Sequence, residues 1–244
     1  MSLATRSVTT AALAAVVAVV GLFGLLPLAV VSAVLAVAVA VGWPRLVGLP
    51  HRPGSSMVIG LTGVGGVVAV ATTGTRPDLR SLAVVFAASM LLTFVNELLR
   101  RDGRTRLVES VAGTVTGSLL AVTTAGWVAC GRSEEGKVLV VAAAVALALA
   151  AGLSALRMPV WLTTLVVTAA GAGGGALLGL LLPMITPLMA GLAGLAVGLL
   201  VASLHALFHP ITALEHRMPA VSAAVLPVAM GGMLVYVASR VLIG

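Results

Sequence analysis

The chain has 244 residues, of which 60% are hydrophobic and only 9% are charged. This composition supplies too few polar side chains to cover the surface of a water-soluble domain of this size. It therefore excludes a water-soluble protein. The net charge of +7 is accompanied by only 3% aromatic residues, which leaves no stacking surface for single-stranded nucleic acid. The sequence predicts an all-α polytopic transmembrane helical bundle in the lipid bilayer, with residues 1–244 as a single transmembrane domain and no soluble domain.

Apolar blocks about as long as a bilayer is thick follow one another along the chain. A spanning helix needs about 20 apolar residues, and charges and prolines divide the sequence into about nine such blocks. In chain order the predicted spans are 8–25, 27–43, 56–73, 80–99, 107–129, 137–156, 160–182, 185–208 and 220–242. The turns at 21–27 and 183–187 carry no charge. If either turn joins a re-entrant pair, the number of full crossings falls to eight or seven.

The distribution of basic residues predicts the orientation of the bundle. With nine spans, nine basic residues fall on the side of the N-terminus and five on the other side. Because basic loops resist translocation, we expect a cytoplasmic N-terminus and an external C-terminus. Arginine outnumbers lysine thirteen to one, which is typical of GC-rich genomes and favours a bacterial plasma membrane. Interfacial aromatic residues are expected at span ends, and four residues fall there: Trp43, Trp127, Trp161 and Tyr236.

The densest polar stretch of the chain lies in the loop after the fourth span. An Asp-Gly pair that ends at Gly103 is a turn signal between two antiparallel spans. Glu97 and Glu109 each lie six positions from Gly103, so both carboxylates should enter the membrane at a similar depth on neighbouring helices. Helical spacing predicts that Glu97 pairs with Arg101 and that Glu109 pairs with Arg106.

Four arginines in this loop could bind an anionic lipid head group or a phosphate, since guanidinium groups recognise such anions. They are Arg100, Arg101, Arg104 and Arg106. Alternatively, the interfacial carboxylates of Glu97 and Glu109 could ligate a divalent ion. The interpretation that topology favours is simpler: the loop is a charged cytoplasmic cap that neutralises itself and keeps this end of the bundle inside.

The same region carries a resemblance to other proteins. Residues 98–117 contain the pieces Arg-Arg-Asp-Gly-Arg, Val-Glu-Ser and Gly-Thr-Val-Thr-Gly. In these pieces the chain resembles uncharacterised integral membrane proteins of actinobacteria, over about twenty residues. The resemblance implies a multi-span plasma membrane protein. It implies no known activity, and it transfers no site residue to this chain.

Histidines form a second polar cluster near the end of the eighth span. His205 and His209 are four residues apart on one helix face, which is the spacing of two ligands of a transition metal. After a turn, His216 or Glu215 could supply a third ligand. Position 206 is alanine, so the general-base glutamate of the metalloprotease motif is absent. Alternatively, the histidines are interfacial residues or handle protons, and the sequence predicts no cofactor.

Glycines recur at four-residue spacing in three spans. They are Gly113 and Gly117, then Gly171, Gly175 and Gly179, then Gly194 and Gly198. Small residues at this spacing let two helices touch backbone to backbone. We interpret them first as packing contacts within one bundle. A seam with a second copy of the chain or with another membrane protein is an alternative, and a helix break at 173–175, as transporters use around a substrate, is another.

Three classes of function remain open. No predicted span has an ionisable residue near its centre, and ion-coupled carriers usually retain one there. The sequence slightly favours a permease- or flippase-like carrier of an uncharged or lipidic substrate, with a cavity near mid-membrane between the third and seventh spans. A second class is a non-catalytic subunit or scaffold that packs through its glycine faces. The third is a membrane enzyme that acts on phosphorylated lipid at the cytoplasmic rim, although no catalytic motif is present.

Overall fold

The computed structural model describes residues 3–72, 80–103, 105–156, 158–182, 184–208 and 217–242, and these residues form α-helices without strands. The helices are α1 (Leu3–Leu22), α2 (Leu25–Leu46), α3 (Arg52–Thr72), α4 (Arg80–Leu99), α5 (Leu107–Val122), α6 (Ala125–Cys130), α7 (Glu134–Leu153), α8 (Val160–Leu181), α9 (Pro187–Phe208) and α10 (Arg217–Leu242). Because α5 and α6 form one segment, the described residues contain nine segments long and apolar enough to cross a membrane. The predicted all-α bundle is confirmed.

The two uncharged turns join helices of full spanning length. α1 has 20 residues, and α2, α8 and α9 have 22 residues each, so each is long enough to cross the hydrocarbon. Between α1 and α2, Gly24 has φ 110°, a backbone conformation that residues with a Cβ rarely adopt. Glycine therefore allows the chain to turn there within two residues.

Most hydroxyl groups inside the spans are satisfied by their own helix. Thr62 donates to the carbonyl of Val58 at 2.7 Å, one turn earlier. The same bond to the preceding turn is made by Thr93, Thr114, Thr116, Thr163 and Thr164. These hydroxyls need no partner from another helix or from water. Ser118 and Thr168 differ, because the described residues offer their buried hydroxyls no partner.

The helices form two groups on either side of α10. In the first helix group, α3 packs against α2, α4, α5 and α6. In the second helix group, α7 packs against α1, α8 and α9. α10 contacts α2 and α6 of the first group and α1, α7 and α9 of the second, and it is the most buried of the nine spanning segments. Large apolar side chains on the outer helices are exposed, as they must be to face lipid.

Alternation of the spans brings nine helix ends to one side of the bundle. α1, α3, α5, α8 and α10 begin there, and α2, α4, α7 and α9 end there. We call this side the N-terminal face and the other side the opposite face. The arginine-rich loop between α4 and α5 and the first turn of α1 therefore lie at the same face, in different helix groups.

Candidate functional site

A buried ionic cluster joins the end of α4 to the start of α5. Glu97 is only 3% exposed, and its two carboxylate oxygens accept from Arg100 Nη1 at 2.6 Å and from Ser110 Oγ at 2.5 Å. Arg100 also donates to both oxygens of Asp102, at 3.1 and 2.7 Å, and to the carbonyl of Thr105 at 3.0 Å. Four hydrogen bonds thus engage the guanidinium of Arg100, which has five N–H groups.

The hydrogen bonds around Arg100 stabilise the charged form of its guanidinium. Its hydrogen bond to Asp102 raises the pKa of the guanidinium above the ordinary value, burial lowers it, and the bond to Glu97 raises it again, with a net increase. Arg100 is therefore a permanent cation beside the buried carboxylate of Glu97. Because its donors are committed to Glu97, Asp102 and Thr105, this arginine has little capacity left for an external phosphate.

Polar contacts extend from the ionic cluster to the start of α3. The hydroxyls of Thr114 and Ser55 lie within hydrogen-bond distance, at 2.9 Å, which ties α5 to α3. A Cβ at Gly54 would lie 2.6 Å from the Nδ1 atom of His51 and closer still to Asn96 Oδ1, so only glycine admits these two side chains there. The described residues offer no partner to Asn96 Nδ2 or to His51 Nδ1, both of which are buried.

The partner of Glu97 differs from the prediction. Helical spacing predicted Arg101, one turn later, but Glu97 pairs with Arg100. α4 ends at Leu99, so the two following residues do not continue the helical spacing on which the expectation rested. Arg101 is exposed instead. The expected pair was therefore wrong by one residue, because the chain leaves the helix before the partner is reached.

The pair on the other side of the loop forms as expected. Glu109 accepts from Arg106 Nε at 2.6 Å, and both side chains are more than half exposed. Arg106 also donates to the carbonyl of Gly48 at 3.2 Å, and Arg104 lies outside the described residues. Glu109 directly precedes Ser110, which donates to Glu97. The two carboxylates therefore lie at a similar depth in the bundle, and of the two only Glu97 is buried.

The expected metal ligands cannot be assembled from the described residues. Of the three histidines, His205 lies on α9, while His209 and His216 lie outside the described residues, as does Glu215. Within the part of the chain that the structure describes, no group of three His, Cys, Asp or Glu side chains could hold a metal ion. The ionic cluster and His205 also belong to different helix groups.

A second polar site, which we call the Arg6 cavity, lies at the N-terminal face between α1, α7, α9 and α10. Its volume is about 50 Å³. Its polar lining residues are Arg6, Ser7, Thr10, Ser154 and His205. The remaining lining is apolar and includes Leu204, Phe208 and Pro227. The cavity is thus a small amphipathic cleft that opens beside a proline inside α10.

The hydroxyls of the Arg6 cavity hold three helices together. Thr10 donates to the carbonyl of Ala224 in α10 at 2.7 Å, and Ser154 donates to Ser7 at 2.9 Å. The Nε atom of Arg6 is buried, and the described residues offer it no acceptor. Sequence reasoning used Arg6 only as a topology signal. The available clue was the placement of a cation and two hydroxyls at 6, 7 and 10, which share one face of a helix.

The fifth span is interrupted beside α10. Between α5 and α6, Gly126 N bonds to the carbonyl of Thr123 and Trp127 N to that of Thr124, both three residues back, so the helix tightens into a turn there. Thr123 Oγ1 also donates to the carbonyl of Ala229 at 3.1 Å. α10 in turn contains Pro227, which has no N–H for the carbonyl four residues earlier.

Two expectations are corrected by this interruption. The glycines at 173–175 offered a helix break as one alternative, but α8 is continuous through those residues. The tightened turn lies in the fifth span instead. Trp127 was expected at the membrane interface, but it is 0% exposed and its Nε1 atom donates to the carbonyl of Val228. A buried indole N–H needs a hydrogen-bond partner, and the main-chain oxygen of Val228 in α10 supplies one here.

All seven glycines singled out in the sequence lie in contacts within the chain. A Cβ at Gly171 would lie 2.5 Å from the carbonyl oxygen of Gly194, and one at Gly198 would lie 3.1 Å from that of Thr168. Gly175 and Gly179 likewise meet the backbone of α9 or the turn before it, and Gly113 and Gly117 meet side chains of α2, α3 and the turn after α2. The α8–α9 seam therefore depends on backbone-to-backbone approach, which only glycine permits.

The third and seventh spans are not neighbours. α3 packs within the first helix group and α8 packs against α7 and α9 in the second, so the expected cavity between these two spans has no place in this arrangement. The Arg6 cavity lies closer to one face and between other helices.

Comparison of the chain with protein-family models, with curated proteins and with solved structures found no match.

Proposed function

We propose that this protein is a permease- or flippase-like carrier that moves a small amphipathic solute across the membrane. One observation carries the proposal: the interrupted fifth span packs against the proline-containing α10 inside the bundle. Irregular helix geometry at membrane depth is tolerated where it is buried in protein or lines a cavity, and transporters use irregular helices at their substrate sites. The interruption here is buried, since every residue of α6 is buried.

The division into two helix groups supports the same proposal. Most packing contacts of α3, α4 and α5 lie inside the first group, and those of α8 lie inside the second. α10 lies between the groups, with Pro227 beside the Arg6 cavity. Motion of two rigid groups against a central helix is the rigid-body mechanism of many carriers.

The two other classes of function receive less support. A scaffold that binds its partner through the glycine faces would need those faces free, but the seven glycines contact other parts of this chain. An enzyme that acts on phosphorylated lipid would need the loop arginines as a phosphate site, but Arg100 and Arg106 are paired with carboxylates.

We also propose that the N-terminal face is cytoplasmic and that the membrane is a bacterial plasma membrane, from the positive-inside rule and the sequence resemblance.

Distances between the two helix groups test the carrier proposal directly. In a Cys130→Ser background, spin labels at Arg52→Cys and Leu207→Cys report the N-terminal face, and labels at Thr72→Cys and Leu181→Cys report the opposite face. These four positions are exposed at helix ends. A carrier in lipid nanodiscs should show two distance populations for each pair. Conditions that lengthen one pair should shorten the other.

A pair within one group provides the control. Labels at Val160→Cys and Leu207→Cys both lie at the N-terminal face of the second helix group and should give one narrow distance. If all three pairs give a single unchanging distance in every condition, the bundle is rigid and the carrier proposal fails. If the control pair also shows two populations, the motion lies within a group and not between the groups, which contradicts the proposed mechanism.

A further inference from the structure

We infer that the Arg6 cavity binds the carboxylate of a small amphipathic organic anion that enters from the aqueous side of the N-terminal face. The inference rests on the proposed function and names its class of substrate. It depends on three features of the cavity: the closure of its walls, the state of its only arginine, and the mixture of hydroxyls and apolar side chains that lines it.

The helices around the cavity form a closed ring. α1 packs against α7 and α10, and α9 packs against the same two helices. The cavity lies within this ring, near the helix ends at the N-terminal face, and we place its opening at that aqueous face. Its lining comes from the first turns of α1, the last turns of α7 and α9, and the half of α10 nearest the N-terminal face. A ligand therefore enters from water and not sideways from the bilayer.

The arginine in this cavity needs an acceptor that the described residues do not provide. Arg6 is partly exposed, but its Nε atom is buried and has no hydrogen-bond partner among the described residues. None of the residues that line the cavity is acidic. A guanidinium is always charged, and a buried N–H without an acceptor is unfavourable. A carboxylate would supply both the negative charge and two acceptor oxygens in the planar geometry that a guanidinium binds best.

The rest of the lining restricts the ligand to a small monoanion with a short apolar body. Ser7, Thr10 and Ser154 already bond to one another or to backbone, so they can assist a carboxylate but cannot neutralise a second charge. Leu204 and Phe208 offer apolar contact to an aliphatic chain. A cavity volume of about 50 Å³ favours a short apolar body over a long one. Short-chain carboxylates fit this combination better than phosphates do.

Binding can be measured on the full chain without any transport assay. The probes are sodium acetate, propionate and butyrate, with inorganic phosphate for comparison, and sodium chloride keeps the ionic strength equal. The protein is held in nanodiscs of zwitterionic lipid, and Kd is obtained from calorimetric titration and from the rise in Tm that a ligand of the folded state produces. We expect a carboxylate to bind and to raise Tm, and phosphate to do neither.

Variants assign the binding to this cavity. Arg6→Gln should weaken carboxylate binding roughly 10- to 100-fold, the range for loss of a charge-assisted hydrogen bond. Arg6→Lys should retain part of the affinity, because it keeps the charge but not the planar fork. Leu204→Trp should fill the cavity and abolish binding while leaving Arg6 in place. Arg52→Gln is the matched control, since Arg52 is an exposed arginine in the first helix group, and it should bind as the parent chain does.

Three outcomes would overturn the inference. The first is unchanged carboxylate affinity in both Arg6→Gln and Leu204→Trp. The second is binding of phosphate in preference to every carboxylate. The third is loss of carboxylate binding when anionic lipid is added to the nanodiscs, which would assign the cavity to a lipid head group. Because these measurements need no transport, carboxylate binding in a bundle with fixed group distances would remove the carrier proposal and leave the binding site standing.

Discussion

Trp127 Nε1 donates a hydrogen bond to the main-chain oxygen of Val228 at 2.8 Å, and both residues are fully buried. The contact joins the short α6 to α10 one residue after Pro227. The indole also packs against Gly231 and Gly232, where a Cβ would lie 3.2 and 2.6 Å from ring atoms. The interrupted fifth span is thus locked onto the central helix by one polar contact and a glycine surface shaped to the ring.

This contact predicts a graded loss of stability in substitutions of Trp127. Trp127→Phe keeps much of the ring but removes the donor, and we expect a loss of about 1–2 kcal/mol. Trp127→Ala also leaves a cavity and should lose about 3–5 kcal/mol. Reversible unfolding in detergent micelles measures both. Trp161→Phe is the control, because Trp161 is 66% exposed and should change stability by less than about 0.5 kcal/mol. Equal effects at the two tryptophans would contradict the prediction.

The buried pair of Glu97 and Arg100 predicts a strong effect when one partner is removed. Arg100→Met leaves an uncompensated buried carboxylate and should cost about 3–5 kcal/mol of unfolding free energy. The double variant Glu97→Leu with Arg100→Met removes both charges and should recover most of that loss. The same unfolding assay checks it. A double variant no more stable than Arg100→Met would show that the buried charge is not the cause.

The neighbouring exposed pair is the natural control for this experiment. Arg106 and Glu109 are also three residues apart, but both are more than half exposed. Arg106→Met should therefore change stability by only about 0–1 kcal/mol.

The pKa of Arg100 is raised in the folded protein. The contribution of its charge to the free energy of unfolding is therefore complete at every pH below the ordinary arginine range and is lost only above it. Consequently, mild alkali should not weaken the ionic cluster through this residue.

Alanine substitutions at two glycines of α8 should change the stability of the protein in opposite directions. At Gly175 a Cβ would collide with the carbonyl oxygen of Ala190, whereas at Gly173 it would meet nothing within 4 Å. Gly175→Ala should therefore destabilise the α8–α9 seam by about 1–3 kcal/mol. Gly173→Ala should stabilise the helix by up to about 1 kcal/mol. Unfolding midpoints of the two variants measured side by side decide the matter, and similar shifts for both would refute the seam.

Chemical labelling tests the proposed orientation. In a Cys130→Ser background, Arg101→Cys places a thiol at the N-terminal face and Glu135→Cys places one at the opposite face, and both positions are exposed. A membrane-impermeant maleimide added to intact cells should label the Glu135→Cys variant at once. It should label the Arg101→Cys variant only after the membrane is permeabilised. The reverse pattern would place the N-terminus outside.

The spans could be predicted closely from the sequence, whereas the contacts of the site could not. The predicted fourth span, 80–99, coincides with α4, because charged residues bound it at both ends. The partner of Glu97 was missed by one residue, since it depends on where α4 ends and on Ser110 of the next helix. The Arg6 cavity was missed altogether, because its lining comes from α1, α7, α9 and α10, which are far apart in the chain.

The sequence by itself determined that this is a membrane protein with about nine crossings, because the transfer of a segment from water to lipid depends on the composition of that segment alone. Only the tertiary structure decided which faces meet, where the fifth span breaks, and that Arg6 and His205 line one cavity. The physical reason is that lipid chains solvate every apolar helix face about equally well. Helix association within the bilayer therefore depends on shape and on hydrogen bonds between segments that are distant in the chain. The sequence of one segment alone does not determine which other segment it packs against.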